Sequence, residues 1–545
     1  MSPHATRLSA NIVDVIAGRC FPGTVEVAGG RISRVIEGGG PFDTCVLPGF
    51  IDAHVHVESS MLVPSEFARL AVMHGTVASV NDPHEIANVM GVEGVDFMIR
   101  SGNEVPFKFH FGAPSCVPAT SFETAGAQVS VDQVRALLER DEIFYLSEMM
   151  DWPGVLNGDA EVMAKLDIAK RLGKPIDGHA PGLRGDDARR YLQVGISTDH
   201  ECFTKEEALD KLKYGAKILI REGSTCHNFD ALYSLIDEYP DRCMLCCDDQ
   251  HPDSLVRGHI DKLVGRALRC GVNRMKVLRA ACVNPVLHYG LGVGLLREGD
   301  PADFIVIDNF DDLTVLKTFI NGRLVAEAGR TLLGRVEPPT INHFLARPKS
   351  VADFAVEARG NAINVIEAID GQVITNRVVV KPKVMDGLVV SDPASDVLKI
   401  TVVNRYADAP PAVGFVKNFG LKDGAIASSV AHDSHNIIAV GVGDRDLCDA
   451  VNLVIEHRGG LAVASKGGRQ ALPLPIAGLM SGDDGFRVAE QYSRMNQLAA
   501  GLGATLAAPF MALSFMALLV IPQIKLSDRG LFDGDKFKVI DLFET

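Results

Sequence analysis

The 545-residue chain reads as an α/β protein organised around a barrel of eight parallel strands, a (β/α)8 barrel. Three observations point there. Apolar, β-prone runs recur near 48–57, 76–81, 107–112, 143–149, 175–179, 195–200, 216–220 and 243–248, with helical patterns between them. Side chains of metal-binding type gather at the C-terminal ends of these runs, where a parallel-stranded barrel carries its chemistry. Before the barrel, residues 8–47 alternate short β-prone runs with glycine turns such as Gly29-Gly30 and Gly38-Gly39-Gly40, which reads as a small antiparallel unit.

The elements follow in chain order. In the leading unit the β-prone runs are Asn11 to Ile16, Gly23 to Val27 and Ile32 to Val35. The texture changes at Pro48-Gly49-Phe50-Ile51-Asp52-Ala53-His54-Val55-His56-Val57. Side chains at i and i+2 of a strand share a face, so His54 and His56 can offer two imidazoles to one metal ion. An isolated pair of this kind is equally a pair of hydrogen-bonded core histidines. Ser130-x-x-Gln133 and Thr204-x-x-Glu207 have capping-box spacing, while Gly173 and Gly215 stop the helices near 159–172 and 205–214. Behind the barrel, Asn436 to Val442 and Leu461 to Ala464 are β-prone and flank a helical pattern from Asp444 to His457, so the tail is a mixed α/β domain.

Composition excludes several classes. With 54 Lys+Arg against 69 Asp+Glu and no basic cluster, a nucleic-acid polymer is not an expected partner. The uncharged stretch Leu498 to Ile524 is interrupted by Gly501, Gly503, Pro509, Ser514 and Pro522, so it reads as buried helices or an oligomer face rather than a membrane span. The first residues lack a signal-peptide core, and the 11 cysteines are odd in number and scattered, which fits a reducing cytoplasm. Cys243-Met244-Leu245-Cys246 has CxxC spacing but lies in an apolar run with no second CxxC, so it is expected to be core.

The strand ends hold the chemistry. Strand one supplies His54 and His56; strand four ends in Ser147-Glu148, strand five in Asp177-Gly178-His179, strand six in Asp199-His200 and strand eight in Asp248-Asp249. Each has a bland reading: Glu148 and Asp248 as helix caps, His179 as a buried histidine. Together they form a ligand set. This order of HxH, acid, two single histidines and aspartate resembles the amidohydrolase superfamily of metal-dependent hydrolases. The resemblance covers about residues 48–285 and extends to Val283-Asn284-Pro285 and Gly299-Asp300-Pro301-Ala302-Asp303-Phe304, which look like the family's return into a small β-domain. It implies a discontinuous β-sandwich of residues 1–47 and 286–344, a catalytic barrel of 48–285 and a C-terminal α/β domain of 345–545. Many members carry a carboxylated lysine on strand four, and Glu148 stands in its place. A carboxylate can bridge two cations unaided.

Within the superfamily, Ala53-His54-Val55-His56-Val57-Glu58-Ser59-Ser60, Asn81-Asp82-Pro83-His84-Glu85, Ser147-Glu148-Met149-Met150 and Gly178-His179-Ala180-Pro181-Gly182 resemble the bacterial adenine deaminases. Val416-Lys417-Asn418 and Ala431-His432-Asp433-Ser434-His435-Asn436 resemble their C-terminal domain. The resemblance implies hydrolytic deamination of a purine small molecule, with two divalent ions of manganese, iron or zinc held by His54, His56, Glu148, His179, His200 and Asp248. Asp248 is the expected proton shuttle, with Asp249 the fallback if the strand-eight register differs by one. His200 or a neighbour is the expected polarising group, and Glu58, His84 and Glu85 are candidates for holding the ring, with a role as caps or as supports for the ligands an equal alternative. In an unbroken strand Glu58 would share the face of both histidines. A loop as rich in His and Asp as 431–435 reads first as a solvated turn, with closure over the barrel mouth as the alternative. Another amidohydrolase reaction, such as cyclic amide hydrolysis or N-deacetylation, or a non-catalytic barrel scaffold are the rival readings. A cytoplasmic homodimer completes the expectation.

Overall fold

A computed structural model describes residues 6–224 and 226–544. The first strands, Thr6–Asp14, Arg19–Ala28 and Arg31–Glu37, pair antiparallel in sequence order. Alternation explains them: along Arg19–Ala28 every second residue from Phe21 to Val27 is buried. Cys45–Pro48 then pairs parallel to Thr6–Asp14 and antiparallel to Phe304–Ile307, which joins the leading strands to Val315–Ile320, Arg323–Glu327 and Arg330–Thr331 in one eight-stranded sheet. Ala10, Ile12, Phe21 and Val25 share a core with Phe304 and Phe319. Val13, Leu47, Ile305 and Ile307 point to the other face and join a core with Ile218, Ile220 and Leu245 of the barrel.

The chain enters the barrel at Gly49, where a Cβ would run into the Val77 side chain. Eight parallel strands follow: Phe50–Val55, Thr76–Asn81, Lys108–Ala113, Ile143–Met149, Ile176–Gly178, Thr198–Asp199, Lys217–Arg221 and Cys243–Cys246. Each coincides with a run expected from sequence. They form a five-stranded and a three-stranded sheet, both in chain order. The sheets meet where Ser197 N–H donates to Ile176 O (2.9 Å), and strand eight returns to strand one through Asp248 N–H to His54 O (2.9 Å) and His56 N–H to Asp248 O (3.1 Å). Strand six is shorter than its apolar run because Gly195, at φ +107, is still leaving the preceding helix.

Local signals behave as their chemistry requires. Ser130 and Gln133 form a reciprocal capping box on Val131–Leu138. At Lys205–Lys213 the Thr204 hydroxyl accepts from Glu207 N–H, but the Glu207 carboxylate takes Phe203 N–H rather than that of Thr204, so only half of the expected box forms. Asp159 caps Ala160–Arg171, and Gly173 ends it at φ +67. Cys243 and Cys246 are fully buried in strand eight, as expected of core residues.

The last third is built on a second eight-stranded sheet that includes Ile437–Gly441 and Gly460–Ser465, with the helix Asp444–Glu456 between them packed on its face. The uncharged stretch folds as the end of Gly485–Gly501, a turn, the helix Pro509–Phe515 and an irregular run that reaches the strand Ile524–Ser527. Among the described residues no helix is long and apolar enough to cross a membrane. One continuous core joins Ile51, Val80 and Phe111 of the barrel to Ile426, Phe510 and Leu531.

Candidate metal centre and cavity

The strand ends converge. His54 and His56 leave strand one on the same side, and Asp248 Oδ1 lies 3.5 Å from His54 Nε2 and 3.3 Å from His56 Nε2. Glu148 sits between two pairs of imidazoles. Its Oε1 is 3.4 Å from His56 Nε2 and 3.6 Å from His84 Nδ1, while its Oε2 is 2.8 Å from His179 Nδ1 and 3.1 Å from His200 Nε2. All these residues are buried. The six residues expected from sequence as ligands are therefore brought to one place.

Electrostatics follow from the crowding. Burial alone would raise the Glu148 carboxyl, but the imidazoles of His179 and His200 hold it well below the carboxylate range. Asp248 is likewise held low against its burial, by the Arg221 guanidinium and by His54 and His56. His54 is pushed down by burial and by His200. Both ring nitrogens of His54 and Nε2 of His179 are buried without a hydrogen-bond partner. Orphaned imidazole nitrogens beside ionised carboxylates are a costly arrangement for protein alone and a fitting one for a divalent cation, which accepts those lone pairs and balances the charge. Sets of three or more donors within 4.8 Å of one another include His54, His56 and Asp248, and His54, Glu148 and His200. The donor set fits one or more divalent ions.

Two site residues were not anticipated. Glu201 lies 3.4 Å from His200 Nε2 and pairs at 2.6 Å with Arg221, which also contacts Asp248. Both stand at strand ends, so the rule that found His200 could have found them. Asp249, the fallback, instead accepts from the Ser59 hydroxyl at 2.5 Å.

The three expected ring-holding residues are placed differently from one another. Strand one stops at Val55, and Glu58 lies in a 3-10 turn over Val57–Ser60 rather than on the strand face with the histidines. Its Oε1 accepts Ile86 N–H at 3.2 Å, and burial pushes its carboxyl up to about 7. His84 approaches Asp82 at 3.1 Å and the cavity. Glu85 reaches across to the tail: its Oε1 lies 2.5 Å from His432 Nδ1, and its Oε2 bonds His435 Nε2.

That contact overturns the solvated-turn expectation for 431–435. His432, Asp433, Ser434 and His435 are all buried, because the loop docks on the barrel mouth and its imidazoles find an ionised carboxylate there. Burial opposes it, yet Glu85 raises His432 to about 9. His432 and Asp433 of the loop line one cavity with His56, Glu148, His200 and Asp248.

Comparison with known proteins places this architecture. Residues 45–325 match the model of the amidohydrolase family, and residues 372–538 match the adenine deaminase C-terminal domain. The chain is 56% identical to an adenine deaminase of Salinibacter ruber over 99% of both chains. It is 54% identical to one of Methanosarcina acetivorans over 98% of both, and 46% identical to one of Borreliella burgdorferi over 98% of this chain and 99% of that one. Among solved structures, an N-acetyl-D-glucosamine-6-phosphate deacetylase from Mycobacterium smegmatis aligns at 19% identity and a TM-score of 0.47, covering 59% of this chain and all of that one. With a metal-type donor cluster at the strand ends, a family match over the barrel and full-length kinship, the chain belongs to the amidohydrolase family, in its adenine deaminase branch.

Proposed function

We propose that this protein hydrolyses adenine to hypoxanthine and ammonia, a step of purine salvage. The observation that carries the reading is full-length relatedness to adenine deaminases, including the C-terminal domain whose loop lines the cavity. We read the five-stranded and three-stranded parallel sheets as one closed (β/α)8 barrel, flanked by a discontinuous β-sandwich of residues 1–47 and 286–344 and an α/β domain of residues 345–545.

His54, His56, Glu148, His179, His200 and Asp248 would hold two divalent ions of manganese, iron or zinc. A site of imidazoles and carboxylates without thiolate suits any of these. Such ions lower the pKa of a coordinated water from about 15.7 to about 7, which supplies a nucleophile at neutral pH. The protein does the rest. Asp248, held through Oδ2 by Arg221, would take the proton of the attacking water as the C–O bond forms at the amino-bearing carbon. That proton passes to the ring nitrogen, and the proton of the hydroxyl left on the carbon passes to the amine, which leaves as ammonia as the C–N bond breaks and the carbonyl forms. His200 stands on the Glu148 side, where it can stabilise charge developing on the ring. His84 and Glu85 line the cavity, and with Glu58 in the turn after strand one they are our candidates to hold the polar edge of the base. The loop 431–435, docked on the barrel mouth, would limit the access of water to the charged intermediate. A cytoplasmic homodimer fits a soluble salvage enzyme.

The experiment is a substrate panel on the purified, metal-loaded protein. Adenine is expected to be turned over, with cyclic amides and N-acetyl sugars left intact. Turnover of either of those in place of adenine would replace this reading with another amidohydrolase reaction, and none at all would favour a scaffold.

A further inference from the structure

The two walls of the cavity differ in chemistry. The barrel supplies imidazoles and carboxylates together with Arg221, Met150 and Cys226, whereas the last third of the chain, beside His432 and Asp433, supplies an apolar group: Val373, Phe515, Leu518, Val520 and Ile521. These five offer no ligand atom and no titratable group, so the reaction at the strand ends does not account for them. All but Val520 are 8% exposed or less.

The wall is held from behind. Lys525, fully buried in the strand Ile524–Ser527, donates through Nζ to the carbonyls of Val373 (2.6 Å) and Phe515 (3.0 Å). Leu526 N–H donates to Met516 O at 2.9 Å. In front, the His432 ring lies over Phe515 with centroids 5.2 Å apart and planes 26° apart, while its Nδ1 engages Glu85. The apolar wall is thus tied to the strand beneath it and, through His432, to the polar side of the cavity.

We propose that Val373, Phe515, Leu518, Val520 and Ile521 form the face on which the flat ring of a free nucleobase packs, so that the C-terminal part of the chain sets the specificity of a reaction carried by the barrel. The inference rests on the purine reading above. A nucleobase has apolar faces and a polar edge, and a cavity with one apolar and one polar side satisfies both at once. Lys525 is the positioning residue of this wall: it touches no substrate and acts by fixing two carbonyls from which the wall residues project.

The test uses the full-length, metal-loaded protein with Leu518→Ser, Phe515→Ala and Leu518→Met, and reads adenine kinetics, metal content and equilibrium binding of hypoxanthine. Leu518→Ser and Phe515→Ala are expected to raise the adenine KM and the hypoxanthine Kd about tenfold, the low end for a lost apolar contact in a pocket. Metal content should be unchanged and kcat within about threefold of the parent, the signature of lost ring binding. Leu518→Met, which keeps the apolar volume, should recover most of the affinity that Leu518→Ser loses. Unchanged KM and Kd in Leu518→Ser would overturn the proposal, as would a fall in kcat with metal loss at constant KM. If Phe515→Ala does not fold, the pair at Leu518 decides. A parent that leaves adenine intact would sink the deaminase reading, whereas the ratio of hypoxanthine affinities between variant and parent would still judge the wall.

Discussion

Glu148 meets four imidazoles with two oxygens, His56 and His84 on one side and His179 and His200 on the other, and an amide cannot reproduce that charge. Glu148→Gln is expected to lower kcat/KM more than ~100-fold, beyond the usual loss for a residue that only orients a ligand, and to reduce bound metal. Glu58→Gln should cost less than ~10-fold and leave metal content unchanged, because Glu58 lies in the turn after strand one and bonds Ile86 N–H. Metal analysis beside steady-state kinetics checks both, and equal losses in the two variants would contradict the assignment. The two-residue period of a strand made His54 and His56 legible in sequence, and strand-end position did the same for Glu148, His179, His200 and Asp248. Extending that period to Glu58 failed, since strand one closes its ladder at Val55 and the chain then tightens into a 3-10 turn. Arg221 and Glu201 also stand at strand ends, but Arg221 offers no ligand atom to a metal and Glu201 follows His200, which already filled the strand-six place in the ligand order.

The loop 431–435 and the strand Ile524–Ser527 both tie the tail to the cavity. Glu85 carries both histidines of the loop, and removing one partner of a buried charged cluster costs about 3–5 kcal/mol. Glu85→Ala is expected to lower the melting temperature and to expose the loop to limited proteolysis, whereas a loop as resistant as the parent's would show that it docks without Glu85. Lys525 carries the second expectation. Burial pushes its ammonium down to about 7, against a small upward pull from Cys226. The unfolded chain, with a lysine pKa near 10.4, therefore binds more protons than the folded one between about pH 7 and 10.4, so this group's contribution to stability rises with pH across that window. The melting temperature of the parent minus that of Lys525→Met should be larger at pH 9.5 than at pH 7, and a difference independent of pH would contradict a depressed lysine. Strands and caps were readable because they are written within a few residues of sequence. The docking of the loop was not, because Glu85 and His432 are 347 positions apart and a His-Asp run in isolation carries no sign of its partner.

The molecule shares one core between barrel and tail, so the tail is not a detachable lid. Ser481 N–H donates to Met61 O (2.8 Å), Gly485 N–H to Glu66 (3.0 Å) and Thr124 N–H to Asp528 (2.9 Å), and Arg347-Pro348-Lys349, a linker by composition, is pinned where Lys349 N–H donates to Asn452 (2.7 Å). Ending the chain before Ser350 would expose much of the joint core to water, at about 25 cal/mol per Å² of apolar surface. The truncated protein is expected to aggregate and to lose both metal and turnover, as size-exclusion chromatography with metal analysis would show. A soluble, metal-loaded fragment that retains turnover would contradict this. The alternation of strands and helices revealed the barrel, but the shared core was hidden because apolar residues do not declare what they pack against. The stoichiometry of one reaction is the most direct test of the deaminase: purified full-length protein, loaded with manganese, iron or zinc, incubated with adenine, and assayed for ammonia and hypoxanthine before and after chelation. Equal amounts of the two products, abolished by chelation and restored by adding back the metal, are the predicted result. Adenine left intact by protein that carries about two ions per chain would contradict it.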